Sequence, residues 1–273
     1  VKFEANSYSE INNLAKTLNV AAYELGQADN RQKDLVANVS HDLKTPLTMI
    51  RSYAEMIRDL SGNNPVKREQ HLNIIIEETD RLTQIVNDML DLSKLESGAQ
   101  KLDYSTFDIA QCMAEIVHRY EGVSERMGYQ IHLTLDESCM VRCDESKIDR
   151  VIGNLINNAI NYTSKEDKQV FVTQRNLPQC VRIEVRDTGD GIEEDKIKLI
   201  FDKYYRSENH KREVVGTGLG LSIVKEILKM HNYNYGVNSK LGEGSTFWFE
   251  IRDIVPPEKP EDEEIPDAEI RQL

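Results

Sequence analysis

Tryptophan occurs once, cysteine four times and proline seven times in this chain of 273 residues. The cysteines, Cys112, Cys139, Cys143 and Cys180, lack the paired spacing with histidine that a zinc site needs. They are too few to staple a chain of this length, so they fit a reducing compartment and small packing roles. No apolar run approaches the roughly 18 uncharged residues of a membrane span, and the start lacks a charged-then-apolar signal pattern. A piece that is soluble as given is expected, whatever precedes Val1. Positive charge is also short: 34 Lys and Arg against 47 Asp and Glu leave a net charge of −13 and a pI near 5.0. Such a surface repels nucleic acid and anionic lipid on average, so neither is an expected partner. The 39 % apolar content is enough for more than one core, and the length suggests about two domains.

From Ile11, the apolar residues Leu14, Leu18, Ala21 and Leu25 recur by threes and fours, the seam of a coiled coil. A second seam runs through Val36, Val39, Leu43, Pro46, Ile50, Tyr53, Ile57 and Leu60, and stops at Ser61-Gly62-Asn63-Asn64-Pro65. A third follows with Leu72, Ile75, Thr79, Leu82, Val86 and Met89. Two long helices joined by a short turn make a hairpin. With one apolar stripe per helix, it buries both stripes well only by pairing with a second copy into a four-helix bundle. Leu25 and Val36 stand 11 residues apart, one heptad plus four, which is a stutter that locally unwinds a supercoil. It is either a point where an upstream input shifts the helix or an inert irregularity.

After Ser93-Lys94-Leu95-Glu96-Ser97-Gly98 the heptads end, which marks a domain boundary. Alternating apolar runs predict strands at 104–107, 131–135, 140–143, 170–173, 181–185, 235–238 and 245–251. The helical period predicts helices at 109–127, 145–162 and 221–230. The fold class is thus α + α/β: a helical hairpin, then an α/β sandwich of antiparallel strands with helices on one face. The tail from Pro256, rich in Pro and Glu, is too polar to pack and is expected to be disordered.

With Val36 at heptad position a, His41 falls at position f and points into water. A lone helical His is also readable as a surface residue without a task. Its neighbours favour chemistry. Asp42 can orient the imidazole and accept its proton, leaving the other nitrogen free to attack phosphorus. Thr45, four residues on, shares the face and can hold a water near a phosphorylated His41 or an incoming acyl phosphate. Pro46 removes a backbone donor and loosens the helix one turn after the histidine. Ser40-His41-Asp42-Leu43-Lys44-Thr45-Pro46-Leu47 resembles the H-box of the sensor histidine kinases, whose His receives a phosphoryl group. The resemblance implies Asp42 as the acid/base partner and Thr45 as the residue of a reverse phosphatase activity. Residues 7–30 resemble the end of a HAMP linker, which in that family follows a membrane helix.

Four separated pieces of the second half suit a nucleotide. In the helix around Asn154-Leu155-Ile156-Asn157-Asn158, Asn154 and Asn158 share one face, and their amide oxygens can ligate Mg²⁺. A single helical Asn reads as a cap or a solvated residue; two on an apolar helix do not. Tyr162 offers a ring to stack on adenine. In Asp187-Thr188-Gly189-Asp190-Gly191, Asp187 can accept from the adenine amino group while Gly189 and Gly191 let the backbone come close. Gly216-Thr217-Gly218-Leu219-Gly220-Leu221 opens a helix, where free N–H groups favour phosphate. It lacks the Gly-Lys-Ser/Thr of a P-loop and the βαβ setting of a dinucleotide fold. Gly242-Glu243-Gly244-Ser245-Thr246-Phe247 alone reads as a hairpin turn.

In this order the pieces resemble the N, G1, G2 and G3 boxes of the histidine-kinase ATP-binding domain, a Bergerat-type fold, and Phe201-Asp202-Lys203-Tyr204-Tyr205-Arg206 resembles its F box. The resemblance covers about residues 31–254. It implies ATP and Mg²⁺ as cofactors, Asn158 as the metal ligand, and nucleotide contacts from Arg206, Gly216, Gly218, Gly220, Leu221 and Thr246, with 207–215 as a lid. It also implies a homodimer, a response regulator as partner, and a cytoplasmic location reached from a bacterial membrane through segments outside this chain. The domains implied are a signalling helix at 1–30, a dimerisation and phosphotransfer domain at 31–97, a catalytic domain at 98–254 and an acidic tail at 255–273. Two positions depart from the pattern. Asn161 replaces a Lys before the stacking Tyr, so that phosphate contact is lost or supplied by Lys165. His231-Asn232-Tyr233 replaces His-Gly-Gly after the G2 helix, which leaves the following turn without an assigned role. Two rivals compete. A gyrase- or chaperone-like ATPase places Glu four residues before the metal-binding Asn, where this chain has Asn154; a kinase-dead scaffold predicts damaged boxes, and apart from Asn161 these are intact.

Overall fold

The computed structural model describes residues 9–98, 100–122, 128–163, 168–203, 205 and 218–256, with no account of the side chains at 9–11, 24, 25, 27–36 and 38. The expected disordered tail past Pro256 and the expected lid at 207–215 therefore lie outside the described residues. The chain divides into two compact units. One holds the chain up to Lys101 together with 193–226; the other holds Leu102–Ile192 and the chain from Ile227.

In the first unit, α1 (Ser9–Met56) runs unbroken past the expected stutter and through Pro46, which is buried. It ends in a π-helical turn, Ile57–Ser61. A five-residue hydrogen-bond spacing turns the chain off its seam, and Leu60, expected in that seam, is 83 % exposed. Ser61 is buried, with Oγ 3.2 Å from the Met56 carbonyl and 3.0 Å from Nδ1 of His71. Pro65, whose missing N–H matters least at a helix start, opens α2 (Pro65–Glu96), and the Asn64 side chain caps it by accepting from Lys67 N–H at 3.1 Å. Helix α2 buries Ile85, Asp88, Leu92 and Leu95, spaced three and four apart. The expected seam lies beside that stripe: Leu72 is 40 % and Val86 42 % exposed. Among the described residues no helix is long and apolar enough to cross a membrane.

The second unit starts with β1 (Ser105–Asp108) and α3 (Ile109–His118), where the Asp108 carboxylate accepts from Ala110 N–H at 2.9 Å. Helix α3 ends earlier than the expected 109–127, and 123–127 lie outside the described residues. Then follow β2 (Gln130–Leu135), β3 (Met140–Cys143), α4 (Glu145–Tyr162), β4 (Gln169–Leu177) and β5 (Cys180–Asp187). Helix α5 (Gly220–Met230), whose residues from Ile227 belong to this unit, leads to β6 (Asn234–Lys240) and β7 (Gly244–Ile251). The main sheet has the order β2-β4-β5-β7-β6, while β1 pairs with β3 in a separate two-stranded sheet.

The expectation of a wholly antiparallel sheet is corrected in one pair: β2 and β4 run parallel, with Ile131 opposite Val170. The chain passes through β3 and α4 before returning, and a crossover of that length delivers a strand in the same direction. The core forms where periods of two and 3.6 meet. Helix α4 buries Ile148, Val151, Ile152, Leu155, Ile156 and Ala159, and β5 buries Val181, Ile183 and Val185. Each such Ile, Leu or Val side chain contributes about 1.5–3 kcal/mol on leaving water. Cys112 and Cys143 sit in this interior, and burial pushes both thiols up to about 12, where they are inert.

The turn after α5 accounts for the second departure from the family pattern, His231-Asn232-Tyr233. Asn232 adopts φ 57° there, a left-handed conformation Asn tolerates in place of Gly. Tyr233 N–H donates to the Leu228 carbonyl and Asn232 N–H to the Lys229 carbonyl, both at 2.9 Å, which closes the helix end.

Candidate functional site

His41 stands on α1 with a side chain 74 % exposed, as the heptad position requires. Its Nδ1 lies 3.4 Å from Oδ1 of Asp42, whose own side chain is only 15 % exposed. A neutral ring whose Nδ1–H points at that carboxylate carries its lone pair on Nε2. Thr45 Oγ1 donates to the His41 carbonyl at 3.3 Å, so the hydroxyl is engaged with the backbone in this conformation. The expected residues are thus within one helical turn of one another.

The second unit assembles another group around the C-terminal end of α4. Asn154, Asn158 and Tyr162 line one face of the helix and are half-buried. The amide nitrogen of Asn154 is buried without a hydrogen-bond partner. Such a group carries a desolvation penalty until an acceptor arrives, so it is matched to a ligand oxygen. Helix α4 is secured by Thr163, whose Oγ1 donates to the Ala159 carbonyl at 2.7 Å, and by Tyr120, whose hydroxyl donates to the Gly153 carbonyl at 3.2 Å.

Asp187 closes β5 with 2 % exposure. Its Oδ1 accepts from Gly189 N–H at 2.8 Å and from Ser245 N–H at 3.2 Å. These two backbone donors fix the orientation of the buried side chain. The glycines beside it are dictated by contact: a Cβ on Gly189 would lie 2.3 Å from the Tyr162 carbonyl oxygen, and one on Gly191, at φ 72°, would lie 2.1 Å from that of Lys240. The 187–192 turn is thereby wedged between the end of α4 and the β6–β7 hairpin. Thr246 of that hairpin sits opposite Arg186 and Asn238 in the sheet. The structure therefore brings Tyr162, Asp187, Gly189, Gly191 and Thr246 together.

Ser239 is a contributor that the sequence did not reveal. Its Oγ accepts from Ile192 N–H at 2.8 Å and donates to the Gly244 carbonyl at 3.0 Å, pinning the turn to the hairpin. No local motif marks it, because its partners lie 47 residues upstream and five downstream.

Gly218, Gly220 and Leu221 form a separate piece, the start of α5. Gly218 takes φ 67°, and Ile223 N–H donates to the Leu219 carbonyl at 2.9 Å in the first turn of the helix. Arg206, Gly216 and Lys165 lie outside the described residues. Asn161, the first departure from the family pattern, is exposed. The residues present fit a nucleotide with its metal: an orphaned amide, a buried carboxylate for a base edge, a ring, and side-chain oxygens for a hard cation.

Residues 31–98 match the His Kinase A phospho-acceptor domain, and residues 143–254 match the histidine kinase-, DNA gyrase B- and HSP90-like ATPases. The sensor protein kinase WalK of Staphylococcus saprophyticus is 34 % identical over 231 residues, which cover 84 % of this chain and 38 % of that protein. The chain thus spans well under half the length of that relative. Among solved structures, full-length ShkA in complex with AMPPNP is 25 % identical at TM-score 0.62, covering 82 % of this chain and 46 % of that one. The histidine kinase ThkA in complex with the response regulator protein TrrA has TM-score 0.63 at 24 % identity, covering 85 % of this chain and 66 % of that one, which shows the shared fold. The order of a phospho-acceptor domain and then an ATPase-type domain, with His41 inside the first match and the 187–192 turn inside the second, makes this chain a member of the sensor histidine kinase family.

Proposed function

We propose that this chain is an ATP-dependent protein histidine kinase that phosphorylates its own His41 and passes the phosphoryl group to an aspartate of a response regulator. The observation that carries the reading is an exposed imidazole whose Nδ1 faces a carboxylate, in a chain that also holds a nucleotide frame. In the first step the Nε2 lone pair of His41 attacks the γ-phosphorus. The bond to the bridging oxygen breaks, ADP leaves, and Asp42 stabilises the Nδ1 proton as the ring gains positive charge. Asp187 would hold the adenine amino group and Tyr162 its ring face, while Asn154 would donate to a phosphate oxygen. Asn158 would hold a Mg²⁺ ion, which when bound neutralises phosphate charge. The regulator's carboxylate then attacks the phosphorus on His41, and the ring leaves neutral.

The chain is read as a signalling helix at 1–30, a dimerisation and phosphotransfer domain at 31–97, and a catalytic domain at 98–254. The half-exposed Leu72 and Val86 favour a homodimer, since a second copy would cover them. A reverse phosphatase activity belongs to the same proposal, with the Thr45 hydroxyl turning from the His41 carbonyl to hold water. We place this piece in the cytoplasm, with membrane attachment through segments outside it.

Incubation with γ-labelled ATP tests the proposal. Acid-labile, alkali-stable label on the protein is expected. Free phosphate alone would identify an ATPase, and neither product would leave a binding scaffold.

A further inference from the structure

His231 follows the last turn of α5 and is 5 % exposed. Both ring nitrogens are committed: Nδ1–H donates to the Ile227 carbonyl at 2.9 Å, and Nε2 accepts from the backbone N–H of Asp144 at 3.2 Å. That pairing specifies a neutral ring with its proton on Nδ1. Asp144 is the N-cap of α4, accepting on Oδ1 from Lys147 N–H at 3.1 Å and on Oδ2 from Asp103 N–H at 3.0 Å. The imidazole therefore ties the end of α5 to the start of the helix that carries Asn154, Asn158 and Tyr162. The other end of that helix meets the Gly189 backbone at the Tyr162 carbonyl.

The ring has no room to swing. Tyr104 meets it edge-on at 5.9 Å between centroids, and Tyr233 stacks on it at 5.1 Å. The titratable and charged groups facing it are Asp144 and Lys147 of α4, Asp253 after β7, and the phenols of Tyr104 and Tyr233. The Tyr233 hydroxyl donates to Asp253 at 2.9 Å, and the Cys143 thiol lies against Tyr233.

We propose that His231 is a positioning residue for the nucleotide: its bridge to the Asp144 N–H sets where α4 presents Asn154, Asn158 and Tyr162. The inference rests on the nucleotide-site reading above. A proton added at Nε2 would face the Asp144 N–H, so two donors would meet and the bridge would open. Burial already draws the ring's pKa below its ordinary value, against the pull of the Ile227 carbonyl and of Asp144 and Asp253, with Lys147 acting in the same direction as burial. The neutral, bridging form is thus the form at neutral pH.

Binding linkage supplies the sign. If only the neutral ring holds α4 in place, nucleotide binds the neutral form better, lowers the His231 pKa, and binds less tightly as pH falls through that pKa. The test is an NMR titration of the His231 ring in the intact chain with and without an ATP analogue, beside the affinity of a fluorescent ATP analogue between about pH 5 and 8. A lower ring pKa with nucleotide supports the proposal; an unchanged one overturns it. His231→Phe keeps an aromatic ring between the two tyrosines and removes both bonds. It is expected to weaken analogue binding about five- to tenfold at neutral pH and to flatten the pH profile, the change lying in KM for nucleotide and not in the saturated rate. His231→Gln, with an amide oxygen able to accept from Asp144, restores part of the affinity. Wild-type affinity and pH profile in His231→Phe would overturn the proposal. Should that variant fail to fold, the wild-type titration decides alone. Absence of analogue binding to the wild type at neutral pH would instead overturn the nucleotide-site reading.

Discussion

Tyr162 and Gly189 touch through their backbones so closely that the glycine has no room for a side chain: its Cβ would stand 2.3 Å from the Tyr162 carbonyl oxygen and 2.9 Å from Oδ1 of Asp187. Neither a helix-end carbonyl nor a buried carboxylate can yield by that much. Gly189→Ala is therefore expected to lose at least tenfold in ATP-analogue affinity and about 1–3 kcal/mol of stability in the second unit. Fluorescent-analogue titration and thermal unfolding measure the two effects. An alanine variant that binds like the wild type would refute the close packing of the 187–192 turn.

His41 and Asp42 divide the transfer chemistry in a way that mutation can separate. His41→Ala should abolish acid-labile label while leaving analogue binding at the wild-type level, because its ring is exposed on α1. Asp42→Asn keeps the shape but removes the charge beside Nδ1, and a loss of about 10²-fold in labelling rate is expected. Persistence of label on His41→Ala at another residue would show that the acceptor was misassigned.

Asp108 makes stability depend on pH. Burial alone would raise its pKa, but the Ser138 hydroxyl and the N–H groups of Ala110 and Cys139 outweigh burial and hold it below the ordinary carboxylate value. A depressed carboxylate contributes stability that is present above its unfolded pKa of about 4 and is lost as pH falls through the lower folded value. Asp108→Ala should destabilise the second unit by about 1 kcal/mol at neutral pH, and the difference from wild type should shrink in acid below about pH 4. Denaturant unfolding at several pH values checks this; a constant difference into acid would contradict it.

Leu72 and Val86 are expected to face a second copy. Replacing both with Glu places charge on the seam, which should convert the dimer to a monomer in sedimentation without loss of helix content. Analogue binding by the second unit should persist, while an unaltered dimer would place the interface elsewhere.

Much of the fold was legible because its signals are local. The boundaries of α4, Glu145–Tyr162, follow from Asp144 as cap and from apolar residues three and four apart ending at Thr163. The hairpin turn was announced by Ser61-Gly62-Asn63-Asn64-Pro65, and Asn64 and Pro65 act there as such residues do at a helix start. The candidate site was legible in part for the same reason: Asp187 and its glycines are close in sequence. Leu60 was misplaced because a π turn shifts helical register by an amount that periodicity does not reveal. The parallel pairing of β2 with β4 was missed because alternation of side chains is the same in either direction.

By itself, the order of residues determined the two long amphipathic helices, the outward position of His41 and the presence of buried strands. Backbone sterics and side-chain periodicity act over a few residues and need no partner. Only the tertiary structure decided that β1 leaves the main sheet for β3, that Ser239 pins a turn 47 residues away, and that His231 reaches the N–H of Asp144, 87 residues back. Such contacts form between groups that have no preference for each other in an open chain. They become favourable once the core excludes water and leaves each buried donor to find an acceptor nearby.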